Sequence, residues 1–111
     1  MTEGDTVLMP LPQADGTIKN RPAVLLREMP PFTDLLVCGI STQLRQEVKG
    51  FDELVSPNDT DFSSSGLVRE SLIRLGFLPV VRQSKVAGKI GSMSTERHKR
   101  LLENLSAYLI K

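Results

Sequence analysis

Arg21 is the side chain in this sequence best suited to act on a charged substrate. It lies in the segment Asn20-Arg21-Pro22-Ala23, where a turn-rich loop becomes an apolar strand. A planar guanidinium can grip a phosphate through two hydrogen bonds, and Gln13, Lys19 and Asn20 add donors close by in sequence. Arginines that precede strands are also common surface residues. The segment alone therefore allows a phosphate site or a plain surface arginine.

A second polar group follows the apolar run Asp34–Ser41. Ser41, Thr42 and Gln43 stand where that run ends. Hydroxyl groups at a strand end can donate to a phosphate oxygen, although the same hydroxyls can cap the turn that follows. The two clusters together indicate a phosphate-binding site more strongly than either does alone.

Metal and nucleophile chemistry lack the side chains they need. The chain has one histidine, His98, and one cysteine, Cys38. A zinc site or a nucleophile paired with a histidine base cannot be assembled from that inventory. We therefore expect a protein that works without a metal or any other cofactor, and we assign His98 no role.

Length and composition indicate one soluble domain. The chain has 111 residues, of which 40% are apolar and 24% charged, and no apolar run is long enough to span a bilayer. The first residues lack the features of a signal peptide, and a lone cysteine argues against a disulfide framework. A cytoplasmic protein is the expectation. Because the net charge is only +1, a nucleic acid would need a local basic patch.

The pattern of apolar residues predicts a mostly β domain with one long helix. We predict strands at 6–9, 22–27, 34–41, 53–55 and 68–75, with short segments near Val80 and Lys89-Ile90. The stretch 10–20 is predicted to be a long hairpin loop, 57–65 a polar turn region, and the third strand central. A helix begins after Ser94, a suitable N-cap. Its apolar stripe comprises Leu101, Leu102, Leu105, Tyr108 and Leu109.

Several segments, taken in order, resemble the MazF/PemK family of toxin endoribonucleases. Gly4-Asp5-Thr6-Val7-Leu8 is similar to the opening strand of that family, Asn20-Arg21-Pro22-Ala23-Val24-Leu25 to its arginine-proline strand, and Ile40-Ser41-Thr42-Gln43 to its hydroxyl-bearing turn. Asp61-Phe62, Gly66-Leu67, Arg69-Glu70-Ser71 and Lys89-Ile90-Gly91 continue the pattern. The resemblance covers nearly the whole chain.

The resemblance implies a fold, a function and partners. The fold would be a CcdB/MazF-like SH3-like antiparallel barrel with a C-terminal helix, formed by residues 1–111 as a single domain. The protein would be the toxin of a type II toxin-antitoxin system and would inhibit translation and growth. Its partners would be single-stranded RNA, a cognate antitoxin and a second copy of itself in a homodimer, with no membrane. Arg21 and Ser41 would be catalytic, with Ser41 where the family has threonine.

The implied reaction is metal-independent cleavage of RNA. The ribose 2′-hydroxyl attacks the adjacent phosphorus and leaves a 2′,3′-cyclic phosphate and a 5′-hydroxyl, so the nucleophile belongs to the substrate. Fixed donors would stabilise the charge that develops on the phosphate oxygens. Glu28 and Glu70 are candidate bases or plain solvated residues. The expected substrate-binding residues are Gln13, Lys19, Asn20, Thr42, Gln43, Arg69 and Ser71.

Two other functions stay open at this point. One keeps the fold but makes the protein a topoisomerase inhibitor like the related CcdB group, which acts through the end of its helix, here 107–111. The other is a non-catalytic SH3-like binding module or a decayed toxin, since small β-barrels serve many purposes and the net charge of +1 fits this option somewhat better than a nuclease. The pairing of Arg21 with Ser41 favours the nuclease over the topoisomerase inhibitor, and a dimer that gathers Lys19, Arg21, Arg45 and Arg69 in one cleft would favour it over the binding module.

Overall fold

The fold is built on one antiparallel sheet with the third strand at its centre. A computed structural model describes all 111 residues. The strands are β1 (Asp5–Pro12), β2 (Ile18–Met29), β3 (Asp34–Ser41), β4 (Glu53–Val55), β5 (Ser71–Arg74), β6 (Val80–Val81) and β7 (Gly88–Ser92). The α-helices are α1 (Phe62–Ser65) and α2 (Thr95–Leu109). The order is β4-β5-β3-β2-β1-β7, β6 also pairs with β3, and the sheet curls into a half-barrel.

The predicted fold class is confirmed, and two strands have the predicted bounds. β3 and β4 match the sequence expectation residue for residue, and β3 is central as expected because β2 lies on one side of it and β5 and β6 on the other. A single long helix follows Ser94, whose hydroxyl accepts a hydrogen bond from the Arg97 N–H at 3.1 Å. The N-cap prediction is therefore also confirmed.

The long hairpin loop predicted over 10–20 is wrong. β1 and β2 pair as far as Pro12 and Ile18, which leaves only a short tip between them. The prolines misled the prediction. A strand with a neighbour on each side uses its N–H groups in ladders on both sides, and a proline has no N–H to donate. β7 pairs with β1 only as far as Leu8, so Pro10 and Pro12 occupy a stretch with one neighbouring strand. There a missing N–H can be tolerated.

Two further sequence expectations need correction. The strand predicted over 68–75 is limited to β5, because Val68 to Glu70 are exposed and form no ladder. The polar turn region predicted over 57–65 contains the short helix α1, which ends at Gly66 with a φ of 78°. A Cβ on Gly66 would lie 2.1 Å from the Ile90 carbonyl oxygen. Glycine at this position lets α1 pack directly on β7.

The sheet buries side chains on both faces. Residues of β2 alternate between the faces, so Ala23 and Leu25 join one core while Val24 and Leu26 join the other. The core that contains Val24 and Leu26 also includes Leu101 and Leu105 of α2 and lies between the sheet and that helix. The core that contains Ala23 and Leu25 lies on the opposite face. Burial on both sides explains why β2 has a continuous apolar run rather than an alternating one.

The C-terminal end of α2 departs from its predicted packing. Leu101 and Leu105 are buried as expected, and Leu102 is half-buried. Tyr108 and Leu109, predicted on the same stripe, are 54% and 69% exposed, and Ile110 is 82% exposed. The last turn of the helix is therefore largely uncovered: the Tyr108 ring contacts the Phe51 ring, with 5.0 Å between ring centroids, and the Lys111 Nζ lies 5.0 Å from the centroid of the Tyr108 ring.

A buried arginine attaches α2 to the rest of the fold. Arg97 is 5% exposed and donates five hydrogen bonds of 2.9 to 3.1 Å. The acceptors are the carboxylates of Glu53, Asp59 and Asp61 and the carbonyl of Leu54. Hydrogen bonds from every N–H of the guanidinium offset much of the free-energy cost of burying its charge. Loss of one carboxylate partner would leave part of that cost uncompensated. The hydrogen bonds from Arg97 lower the pKa of Asp61 from 3.8 to about 2.

We predict that Asp61→Asn destabilises the protein by about 3 kcal/mol at neutral pH, because Arg97 loses a buried carboxylate. The pKa of Asp61 is lower in the folded state than in the unfolded state, so its contribution is present above pH 4 and is lost as the pH falls toward 2. Urea unfolding between pH 7 and pH 2 measures both effects.

The matched control is Asp34→Asn, since Asp34 makes no hydrogen bond or ion pair through its side chain. We expect that variant to stay within about 0.5 kcal/mol of the wild type. Equal stability of Asp61→Asn and Asp34→Asn at neutral pH would show that the Arg97 network does not hold α2.

Candidate functional site

A cavity of about 360 Å³ opens beside the end of β3. It lies between the tip of the β1–β2 hairpin, the turn after β3, the end of β5 and the residues that follow it. Its lining comprises Leu11, Pro12, Gln13, Ala14, Arg21, Gly39, Ile40, Ser41, Thr42, Gln43, Gln46, Arg74 and Phe77. Both predicted catalytic residues, Arg21 and Ser41, therefore line the same cavity.

Strand register brings the polar groups to this cavity. The β2–β3 pairing ends at Ala23 opposite Gly39, and Gly39 is also paired with Arg74 of β5. Arg21 lies two residues before Ala23, and Ser41 lies two residues after Gly39. Side chains two residues apart on a strand share a face. Arg21, Ser41 and Arg74 thus come from three neighbouring strands to the same side of the sheet.

Gly39 makes room for the floor of the cavity. The Phe77 ring packs on it so closely that a Cβ at position 39 would lie 2.6 Å from Phe77 Cδ2. The Gly39 N–H also donates to the Phe77 carbonyl at 3.1 Å. A side chain at position 39 would displace the Phe77 ring. This ring lines the cavity and also packs against the core that contains Ala23 and Leu25.

The Ser41 hydroxyl is oriented by the backbone. Ser41 Oγ accepts a hydrogen bond from the Gln43 N–H at 3.0 Å. Because a hydroxyl group has one donor as well as its acceptor lone pairs, its proton stays free for another partner. The capping role that the sequence left open is thus compatible with donation to a ligand, since the two roles use different parts of the same group.

The cavity is positively charged. Neither Arg21 nor Arg74 forms an ion pair, and no aspartate or glutamate lines the cavity. Two guanidinium groups and a free hydroxyl proton therefore face one solvent-filled space without a neutralising carboxylate. Such a space favours an anion, and guanidinium groups are especially suited to phosphate.

The predicted substrate-binding residues divide into two groups. Gln13, Thr42 and Gln43 line the cavity together with Arg21 and Ser41. The other four predicted residues do not line it; these are Lys19, Asn20, Arg69 and Ser71. Ser71 is only 2% exposed, and its hydroxyl donates to the Arg69 carbonyl, so burial removes it from any contact with substrate.

Arg74 and Gln46 line the cavity but were missed from the sequence. Arg74 follows Leu72 and Ile73 in a predicted strand, and only the pairing with Gly39 shows which way it faces. A charged residue inside an apolar strand was the available signal. Gln46 belongs to a single 3₁₀ turn, Leu44–Gln46, that no turn motif in the sequence identified.

None of the candidate proton acceptors lines the cavity. Glu28 and Glu70 lie outside its lining. His98, which was assigned no role, also lies outside it, and its Nε2 donates to the Leu26 carbonyl at 2.8 Å. Burial raises the pKa of the Cys38 thiol to about 12, so this side chain stays protonated and unreactive.

Comparison with known proteins identifies the family. The family profile of PemK-like, MazF-like toxins of type II toxin-antitoxin systems matches residues 2–109. The chain belongs to this family. A solved structure, the Mycobacterium tuberculosis toxin MazF-mt6, superposes with a TM-score of 0.70 at 18% sequence identity, with 96% of each chain covered. At that identity the match establishes the MazF fold. Among curated protein sequences there is no match.

Membership of this family implies an antitoxin partner. It also agrees with the resemblance based on Arg21, Ser41 and the ordered segments around them. No helix of the protein is both long enough and apolar enough to cross a membrane.

We predict that Gly39→Ala destabilises the protein by about 1 to 3 kcal/mol, because the new methyl group overlaps the Phe77 ring. Thermal unfolding of Gly39→Ala measures this cost. Combining it with Phe77→Leu should recover part of the loss. Gly88→Ala is the matched control, since nothing lies within 4 Å of a Cβ at that strand position. Equal losses in the two alanine variants would rule out ring contact as the cause.

Proposed function

We propose that this toxin is a metal-independent endoribonuclease that cleaves single-stranded RNA within the cavity of Arg21, Arg74 and Ser41. The observation that carries the proposal is the meeting of two unpaired guanidinium groups and a free hydroxyl donor with no carboxylate beside them. A phosphodiester is the RNA group that matches this charge and these donors. Family membership supports the same conclusion.

The proposed reaction needs no nucleophile from the protein. The 2′-oxygen of a ribose forms a bond to the adjacent phosphorus while the bond from phosphorus to the 5′-oxygen breaks. The products are a 2′,3′-cyclic phosphate and a 5′-hydroxyl, and the 2′-proton leaves as the 5′-oxygen gains one. Negative charge on the non-bridging oxygens is what Arg21, Arg74 and Ser41 would stabilise. DNA lacks the 2′-hydroxyl and would remain intact.

Proton transfer would rely on solvent rather than on a carboxylate or an imidazole. Neither type of side chain lines the cavity, and an arginine is a weak acid near neutral pH. Catalysis in this proposal consists of positioning and charge stabilisation. The phosphate is held in place while water or hydroxide accepts the 2′-proton.

A pH profile tests this part of the proposal. We expect the single-turnover cleavage rate to rise steadily from about pH 6 to about pH 9, because no histidine, cysteine, aspartate or glutamate lines the cavity. A bell-shaped profile with a limb in that range would reveal an acid or base that the cavity lacks.

We further infer that the protein acts in the cytoplasm as a homodimer. Tyr108, Leu109 and Ile110 are exposed together at the end of α2, and such a patch on a small domain is suited to contact with another polypeptide. An antitoxin would inhibit the enzyme by covering the cavity, where an acidic segment could pair with Arg21 and Arg74.

Cleavage of a mixed-sequence RNA in EDTA tests the proposed function. The wild type should cut the RNA, and Arg21→Ala, Arg74→Ala and Ser41→Ala should each lower the rate by roughly 10- to 1,000-fold through loss of one donor. Arg82→Ala is the matched control and should keep full activity, since Arg82 lies outside the cavity.

Uncut RNA with folded wild-type protein, free of antitoxin, would overturn the nuclease proposal. If the same preparation inhibited supercoiling by gyrase, the topoisomerase-inhibitor alternative would replace it. Binding of RNA without cleavage would instead support a binding module.

A further inference from the structure

Four polar side chains of the cavity remain once the two arginines and Ser41 are assigned to the phosphate. They are Gln13, Thr42, Gln43 and Gln46. Gln13 Nε2 donates to the Leu11 carbonyl at 2.9 Å, so its amide is used to hold the hairpin tip. The side-chain amides of Gln43 and Gln46 make no hydrogen bond within the protein. These two amides are free to contact a ligand.

The turn after β3 places both amides on the cavity side. Gln43 is the residue before the 3₁₀ turn Leu44–Gln46, and the Gln46 N–H donates to the Gln43 carbonyl at 3.1 Å. In a 3₁₀ turn, side chains three residues apart lie one above the other. The Gln43 N–H in turn donates to Ser41 Oγ. The backbone of Gln43 is therefore fixed beside the hydroxyl proposed to contact the scissile phosphate, and both glutamines line the same cavity.

A side-chain amide can donate to a phosphate, but it also matches the edge of a base, because it carries an acceptor beside its donors. Each amide presents one acceptor and two N–H donors in a plane, and the edge of every nucleobase presents neighbouring donors and acceptors. In single-stranded RNA these edges are accessible, and proteins read sequence from them. Amides beside a cationic phosphate site would contact the base next to the phosphate that the cations hold.

We propose that Gln46, with Gln43 beside it, reads the edge of a base that flanks the cleaved linkage and so sets the sequence preference of the nuclease. This inference rests on the proposed function. It assigns Gln46 the task of distinguishing bases, whereas Arg21, Arg74 and Ser41 act on a phosphate that all sequences share.

Sequencing of the new 5′-hydroxyl ends produced from a random RNA pool tests the inference. The wild type should prefer one base at one position beside the cut. Gln46→Leu should flatten that preference by roughly 5- to 100-fold, the discrimination lost with one paired contact to a base edge. Gln46→Glu should shift the preference toward guanine, because a carboxylate can accept hydrogen bonds from the two neighbouring N–H groups of guanine N1 and N2.

Gln83→Leu is the matched control. It makes the same substitution in a separate surface hollow lined by Phe32 and Arg82, where it also removes two hydrogen bonds to Thr33, and it should leave the cleavage profile unchanged. An unchanged profile in both active Gln46 variants would overturn the inference, as would a wild type that cuts without base preference. No cleavage by the wild type is a different result, which refutes the nuclease itself.

A second measurement covers a Gln46 variant that loses activity. Binding of short oligoribonucleotides that differ at one base then replaces sequencing. A loss of affinity confined to some bases supports base reading by Gln46. An equal loss for all four bases overturns it and makes Gln46 a general support for the cavity.

Discussion

The pairing of three antiparallel strands is the constraint on which the candidate site depends. Gly39 of β3 is opposite Ala23 of β2 and Arg74 of β5, and this register turns the arginines and Ser41 toward one cavity. A shift of one residue in either pairing would move an arginine to the opposite face. Packing in the two cores supports this register, because Ala23 and Leu25 are buried on one face of β2 and Val24 and Leu26 on the other. Apolar packing thus determines where the charges meet.

The distribution of acidic residues completes this arrangement. Three carboxylates, those of Glu53, Asp59 and Asp61, surround the buried Arg97 beneath α2. None lines the cavity, where Arg21 and Arg74 are without ion-pair partners. One set of charges is thereby paired to hold the helix, and the other stays available for a ligand. A net charge of only +1 hides this local imbalance, which is why composition says little about the partner.

Local sequence signals predicted a mostly β domain with one long helix and two segments of the candidate site, whereas the MazF-like barrel was implied only by the family resemblance. β3, β4 and the N-cap of α2 followed from apolar runs and from Ser94, and the Arg21 and Ser41 segments pointed to the cavity. What could not be predicted depends on contacts between distant residues. Arg74 joins the site only through pairing with Gly39, and Gln46 only through the 3₁₀ turn. Pro10 and Pro12 suggested a loop, because the sequence does not show that β7 stops pairing with β1 at Leu8 and leaves these prolines with only one neighbouring strand.

The central claim is that Arg21, Arg74 and Ser41 together hold the phosphate that is cleaved. A crystal structure with a single-stranded RNA that carries one 2′-deoxynucleotide at the cut position, and so cannot react, tests this directly. We expect oxygens of that phosphate within about 3 Å of both guanidinium groups and of Ser41 Oγ. A phosphate bound elsewhere on the protein, with these three side chains facing only solvent, would contradict the account.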